Sequence, residues 1–182
     1  MRHIIAIHGK LESGKSTAAD YLCKHLQAVI KPFAKPIKDF AFSLGWDGNK
    51  DTKGRRLLQL LGTEVGRECI SDDIWIEKWQ ESLDNTGSNV TIICDDLRFQ
   101  NEYEHLVTLS ENMPVTIIHV VRPADTSVIS KLLTWCLPSA SKGHKSEQGI
   151  DFNGTIKPLV IYNSGTVSQL HFELDRIMDE YI

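Results

Sequence analysis

At 182 residues, 41% of them hydrophobic, the chain is long enough for one packed domain with a small inserted lid and too short for two of ordinary size. A formal net charge of −4 and a pI near 6.0 exclude a general binder of nucleic acid polymers or anionic membrane, which carries excess Lys and Arg, so any polyanion must be gripped locally. Cys23, Cys69, Cys94 and Cys136 show no C-x-x-C spacing and read as reduced thiols of a cytoplasmic protein, and no stretch approaches the roughly 20 apolar residues of a membrane span or shows a signal-peptide profile.

Ile4, Ile5, Ala6 and Ile7 read as a buried strand that empties into Gly9-Lys10-Leu11-Glu12-Ser13-Gly14-Lys15-Ser16, the pattern G-x-x-x-x-G-K-[ST] of a phosphate-binding P-loop. Gly9 and Gly14 let the backbone turn tightly and aim N–H groups at a polyphosphate, which also sits at the positive end of the following helix. In that role Gly9, Lys10, Glu12, Ser13, Gly14, Lys15, Ser16 and Thr17 hold ATP, Lys15 reaches the β- and γ-phosphates, and the Ser16 hydroxyl takes a place on Mg²⁺. Ala18, Ala19, Leu22 and Leu26 recur at helical spacing and give the helix from Lys15 to Leu26. The alternative, a glycine turn that binds nothing, fits the pattern less well than strand, loop and helix together.

Ala28 to Phe33 is the second strand, with Pro32 marking an edge or strand end. Three apolar stripes at helical spacing follow: Ile37, Phe40, Ala41 and Leu44, ending at Gly45; Leu57, Leu58, Leu61 and Val65; and Trp75, Trp79 and Leu83. They form a helical insertion between strands. Val90 to Cys94 is the third strand, ending in Asp95-Asp96; Asn101 to Leu109 is helical; Val115 to Val121 is the fourth strand, closed by Arg122-Pro123. Asp125 to Leu137 has helical periodicity, the stretch from Pro138 to Gly154 turns polar, Leu159 to Tyr162 is a last strand, and Val167 to Tyr181 a closing amphipathic helix. Short apolar strands alternating with helices predict an α/β fold with a five-stranded parallel sheet covered on both faces. Ligands then sit at the carboxyl ends of the strands, where the P-loop, Asp95, Arg122 and Asn163 all fall.

Asp95 and Asp96 beside a P-loop suit magnesium support, and Asp96 is assigned to the metal; the competing reading is a pair of turn residues. Arg98 suits a two-pronged grip on phosphate, against a surface ion pair with Glu102 at i+4. Arg67 follows two closely spaced glycines, Gly62 and Gly66, and Arg122 follows the fourth strand. His144 lacks a second ligand at metal spacing, and Trp46, Trp75, Trp79 and Trp135 are packing residues of which one or two line a base pocket. No Ser/His/Asp signature or activated Cys is present. Phosphoryl transfer to a phosphate needs none, because the acceptor oxygen is already anionic at neutral pH.

These residues give the chain a resemblance to the nucleoside monophosphate kinase superfamily, most closely to the phage-type deoxynucleoside monophosphate kinases. It is carried by Gly9 to Ser16, Lys31 to Lys38 (KPFAKPIK), Leu57 to Trp75 (LLQLLGTEVGRECISDDIW), Asp95 to Glu102 (DDLRFQNE), His144 to Glu147 (HKSE) and Ile161 to Gly165 (IYNSG). The resemblance implies a P-loop kinase with ATP and Mg²⁺, an acceptor-binding insertion at about 34–84 and a lid at about 123–154. It places Phe33, Lys38, Gln59, Arg67, Trp75, Asp95 and Arg98 at a deoxynucleoside monophosphate, and Asn163 and Gly165 beside the adenine of ATP. Lys15, Arg98 and Arg122 then meet the transferring phosphate, and the lid offers Lys131, Lys142 and Lys145 where many relatives carry arginines. The enzyme would work in the cytoplasm, that of the host if phage-encoded, and a homodimer is left open. A phosphomevalonate kinase shares a similar loop and strand end, and a regulator that binds ATP without transfer is the alternative from another class.

Overall fold

The computed structural model describes residues 2–87, 89–122 and 149–182. The expected helix from Asp125 to Leu137 and the lid cations Lys131, Lys142 and Lys145 lie outside the described residues, as do Trp135, Cys136 and His144.

Five parallel strands, β1 (Ile4–His8), β2 (Val29–Ile30), β3 (Ile92–Leu97), β4 (Val115–Val121) and β5 (Leu159–Tyr162), form one sheet in the order β2-β3-β1-β4-β5. Helix α1 (Lys15–Leu26) follows β1, and α2 (Lys35–Ser43), α3 (Thr52–Gln59), a π-helix (Leu60–Glu68) and α4 (Ile74–Asp84) separate β2 from β3. Helix α5 (Gln100–Leu109) joins β3 to β4, and α6 (Val167–Tyr181) closes the chain. No described helix is long and apolar enough to cross a membrane.

Alternation along β1 explains both layers. Ile5 and Ile7 face Ala18, Ala19 and Leu22 of α1 and Leu170, Leu174 and Ile177 of α6. Ile4 and Ala6 face Trp79 and Leu83 of α4, Tyr103 and Leu106 of α5, and Phe152 and Ile156 of the segment before β5. In β1, Ile4 to Ile7 are all fully buried, on one side or the other, which is why this strand reads as a continuous apolar run. At roughly 25 cal/mol per Å² of apolar surface removed from water, this two-sided core is the main force holding the P-loop in place.

The structure departs from the sequence reading in four places. β2 is cut to two residues at the sheet edge, because the chain turns away at Lys31 and Pro32. β3 runs on to Leu97, so Asp95 and Asp96 lie inside the strand. Its register against β1 jumps from Ala6↔Cys94 to His8↔Leu97, which leaves one extra residue in β3 at that point. The α2 stripe is largely uncovered, with Ala41 buried but Phe40 and Leu44 exposed. The Leu57 to Val65 stripe is not one α-helix: the turn widens at Leu60, where Gly62 meets the Ile37 side chain and Gly66 lies under the Trp75 indole.

Candidate active site

The sheet order reverses at β1, and the crevice there opens between β3 and β4. The loop Gly9–Gly14 crosses it so closely that a Cβ on Gly9 would strike the Val120 carbonyl and the Ser13 hydroxyl. Gly14 turns the chain into α1 with φ 103° and ψ 13°, and Glu12 adopts the left-handed region at φ 61°. The first-turn amides of α1 at Lys15, Ser16 and Thr17 have no carbonyl one turn back to receive them. Two strand ends brace this loop. Asn163 after β5 donates from Nδ2 to the Ser13 carbonyl at 2.8 Å, and Arg122 after β4 donates from Nη1 to the Glu12 carbonyl at 3.3 Å.

Inside the brace, Ser13 Oγ is buried and has no hydrogen-bond partner among the described residues. Lys15 folds back and donates from Nζ to the Lys10 carbonyl at 2.7 Å. Its ammonium is held below the usual lysine value by burial and then by the Arg98 charge, against the pull of Asp95 and Asp96.

The loop forms one wall of a cleft of about 830 Å³. Of the expected site residues, Glu12, Gly14, Lys15, Ser16, Thr17, Asn163, Gly165 and Arg122 line it from the loop side, and Phe33, Lys38, Gln59, Arg67, Trp75, Asp95, Asp96 and Arg98 from the other. Gly9, Lys10 and Ser13 stand behind, shaping the loop. The side wall is rigid: the Phe33 ring packs on Trp79 at 4.4 Å, and Trp75 donates from Nε1 to the Gly62 carbonyl at 2.8 Å. Gly165 enters α6, whose Gln169 side chain accepts the Thr166 N–H at 2.9 Å.

The two adjacent aspartates stand in different surroundings. Both oxygens of Asp96 accept backbone amides, from Phe33 at 2.7 Å and Ala34 at 3.0 Å, so this carboxylate ties β3 to the start of the helical segment. Asp96, the residue assigned to the metal, is thus engaged by two backbone amides while still lining the cleft. Asp95 also lines the cleft; burial and then the Asp96 charge push its carboxyl up, opposed by Lys38 and Lys15.

Glu102 is the residue that sequence reasoning undervalued. Its Oε2 accepts the Arg98 and Phe99 amides at 2.9 and 3.0 Å, capping α5 from position N3. Its Oε1 accepts from Arg67 Nη2 at 3.2 Å, and the Arg67 guanidinium lies 4.0 Å from the Phe99 ring centre. The alternative of an Arg98 to Glu102 ion pair is not seen: Glu102 takes the Arg98 amide, and among the described residues the Arg98 guanidinium forms no ion pair. The signal available in the sequence was a Glu three residues into a helix, directly after an Arg-Phe pair. Lys50 and Arg55, from around the start of α3, also reach the cleft.

A protein of Escherichia phage T5 named deoxynucleoside-5'-monophosphate kinase is 33% identical over 97 residues, covering 53% of this chain and 34% of its own length. The chain thus spans about a third of that relative. A protein of Acanthamoeba polyphaga mimivirus, provisionally named a deoxynucleotide monophosphate kinase, is 28% identical over 134 residues, 58% of this chain and 69% of its own length. Among solved structures, one titled a kinase, on provisional assignment, from Chloroflexus aurantiacus superposes with a TM-score of 0.53 at 14% identity, covering 100% of this chain and 98% of that one, so the two share the α/β fold. The family model described as deoxynucleotide monophosphate kinase matches residues 43–174, from the end of α2 into α6, and the chain accordingly belongs to the deoxynucleotide monophosphate kinase family.

Proposed function

We propose that the protein transfers the γ-phosphoryl group of ATP to a deoxynucleoside monophosphate, giving ADP and the deoxynucleoside diphosphate. The observation that carries this reading is the convergence in one cleft of the P-loop lysine Lys15 with Arg98 from a strand end and Arg67 from the helical segment. A monophosphate has its second pKa near 6 and attacks as a dianion at neutral pH, so the site needs no general base. What it must overcome is the repulsion between two polyanions.

In this reading Gly9 to Thr17 hold the ATP phosphates, with Ser13 Oγ gaining the partner it lacks, and Asn163 and Gly165 flank the adenine. Lys15 leaves the Lys10 carbonyl to meet the β- and γ-oxygens, and Arg122 approaches the same phosphates from β4. On the acceptor side Arg98 and Arg67 grip the monophosphate, while Phe33, Trp75, Lys38 and Gln59 line the space for its sugar and base. Residues 34–84 act as the acceptor-binding insertion and 123–154 as the lid. The hard oxygen donors that would hold a magnesium ion are the Ser16 hydroxyl and the Asp95 carboxylate. Bound there, the ion would offset negative charge on the phosphates. The virus-encoded relatives support an enzyme of the host cytoplasm.

The test is ADP release with a panel of acceptors: the deoxy- and ribonucleoside monophosphates, plus phosphomevalonate. Turnover dependent on a deoxynucleotide is expected. Turnover with phosphomevalonate alone would reassign the acceptor, and ATP binding with no acceptor-dependent turnover would make the chain a nucleotide-binding regulator.

A further inference from the structure

Glu102 is 3% exposed, in a place where an ionised carboxylate is costly unless every oxygen is occupied. Its three donors occupy both oxygens. The cap alone does not require this charge, because glutamine serves the same helix position. Nor does the ion pair with Arg67 explain itself as a stabilising device, since buried pairs are often matched by apolar residues.

The neighbouring contacts show what the charge holds. Arg67 donates from Nη1 to the Asp72 carbonyl at 2.9 Å, and Asn101 Nδ2 donates to the same carbonyl at 3.1 Å and to Asp73 Oδ1 at 2.8 Å. The first residues of α5 therefore clasp the end of the π-helix and the turn before α4. Arg67 has its planar face on Phe99, Nη2 on Glu102 and Nη1 on Asp72, and the residue lines the cleft. A guanidinium held on three sides presents its fork in one orientation, the condition for two-pronged recognition of phosphate.

We propose that Glu102 is a positioning residue for the acceptor phosphate: it fixes the orientation of Arg67 and ties that guanidinium to the strand end carrying Arg98, so both arginines meet one monophosphate as a preset pair. This rests on the reading of Arg67 and Arg98 as acceptor residues. Glu102→Gln separates the two tasks of the side chain. The amide oxygen still accepts the Arg98 and Phe99 N–H groups, but the amide nitrogen now faces the Arg67 donor and releases it.

Steady-state kinetics of wild type, Glu102→Gln, Arg67→Ala and the double variant, each substrate varied in turn, test this. Glu102→Gln should raise the acceptor KM about tenfold or more with the ATP KM moved less than about twofold, and add under about twofold once Arg67 is alanine. Equal rises in both KM values, or effects that multiply in the double variant, would overturn the assignment. If circular dichroism shows Glu102→Gln unfolded, Phe99→Leu, which keeps the cap and removes the platform under Arg67, decides by the same criteria in wild-type and Arg67→Ala backgrounds. A wild-type chain inactive on every nucleotide overturns the proposed reaction and this role together. An active wild type with an unchanged acceptor KM in the variant overturns this role alone.

Discussion

At the scale of single residues, the cleft makes Lys15 and the two aspartates separable by experiment. Among the described residues Lys15 is tied only to the Lys10 carbonyl, so Lys15→Ala should remove turnover by well over a hundredfold while leaving the unfolding midpoint in place. A loss below tenfold, or an unfolded variant, would refute that. Asp95→Asn should lower kcat and regain part of it with Mn²⁺ or excess Mg²⁺. Asp96→Asn should instead lower stability by about 1–3 kcal/mol, since its amide nitrogen would confront the Phe33 or Ala34 N–H. Denaturant unfolding with metal titrations of both variants checks the pair, and metal rescue of Asp96→Asn at unchanged stability would restore the original assignment. Sequence placed the pair at a strand end but did not show the Phe33 and Ala34 amides on Asp96, which lie 63 and 62 positions away. Glu102 was overlooked for a related reason: its partner Arg67 is 35 positions away, beyond any local pattern.

Secondary-structure elements with an unbroken apolar run or a regular apolar stripe were legible in the sequence, and those shaped by a single neighbour were not. β4, β5 and α6 occupy the residues their apolar patterns indicated, even though β5 is a sheet edge with Val160 and Tyr162 exposed. The segment from Thr52 to Glu68 shows the opposite case, where α-periodicity continues in sequence while the backbone shifts to a π-helix under Trp75 and Ile37. The two glycines there should respond differently to alanine. At Gly66 a methyl would enter the Trp75 indole, itself pinned by its bond to the Gly62 carbonyl, so Gly66→Ala should cost more than about 2 kcal/mol. At Gly62 the nearest atom is Ile37 Cδ1 at 3.2 Å, the movable end of a side chain, and the helical preference of alanine offsets the crowding to within about 1 kcal/mol. Urea unfolding of both variants tests the contrast, which fails if the two losses are equal.

Across the whole molecule, pH should act through buried groups pulling in opposite directions. Burial lowers His3, His8, His105 and His119 below the ordinary histidine value of 6.5; Lys15 and Arg98 push His8 further down, and His8 does the same to His119. The unfolded chain therefore takes up protons first, and stability present above pH 6.5 falls as the solution is acidified. Glu102 works the other way. Burial and the Asp96 charge raise it to about 7, against the Phe99 and Arg98 amides and Arg67, so its contribution grows as pH falls from about 7 towards 4.5. Thermal midpoints across that window should therefore drop more steeply with acid in Glu102→Gln than in wild type, and parallel curves would show that Glu102 does not titrate there. The sheet order has a consequence for synthesis as well. β1 is the first strand made and the central one, yet its neighbours β3 and β4 begin only at Ile92 and Val115. At ordinary translation rates of 5–20 residues per second, the Ile4–Ile7 strand leaves the ribosome roughly 5–20 s before both edges can be paired. For that interval the nascent chain shows an unpaired apolar strand to its surroundings, the kind of segment that holdase chaperones bind.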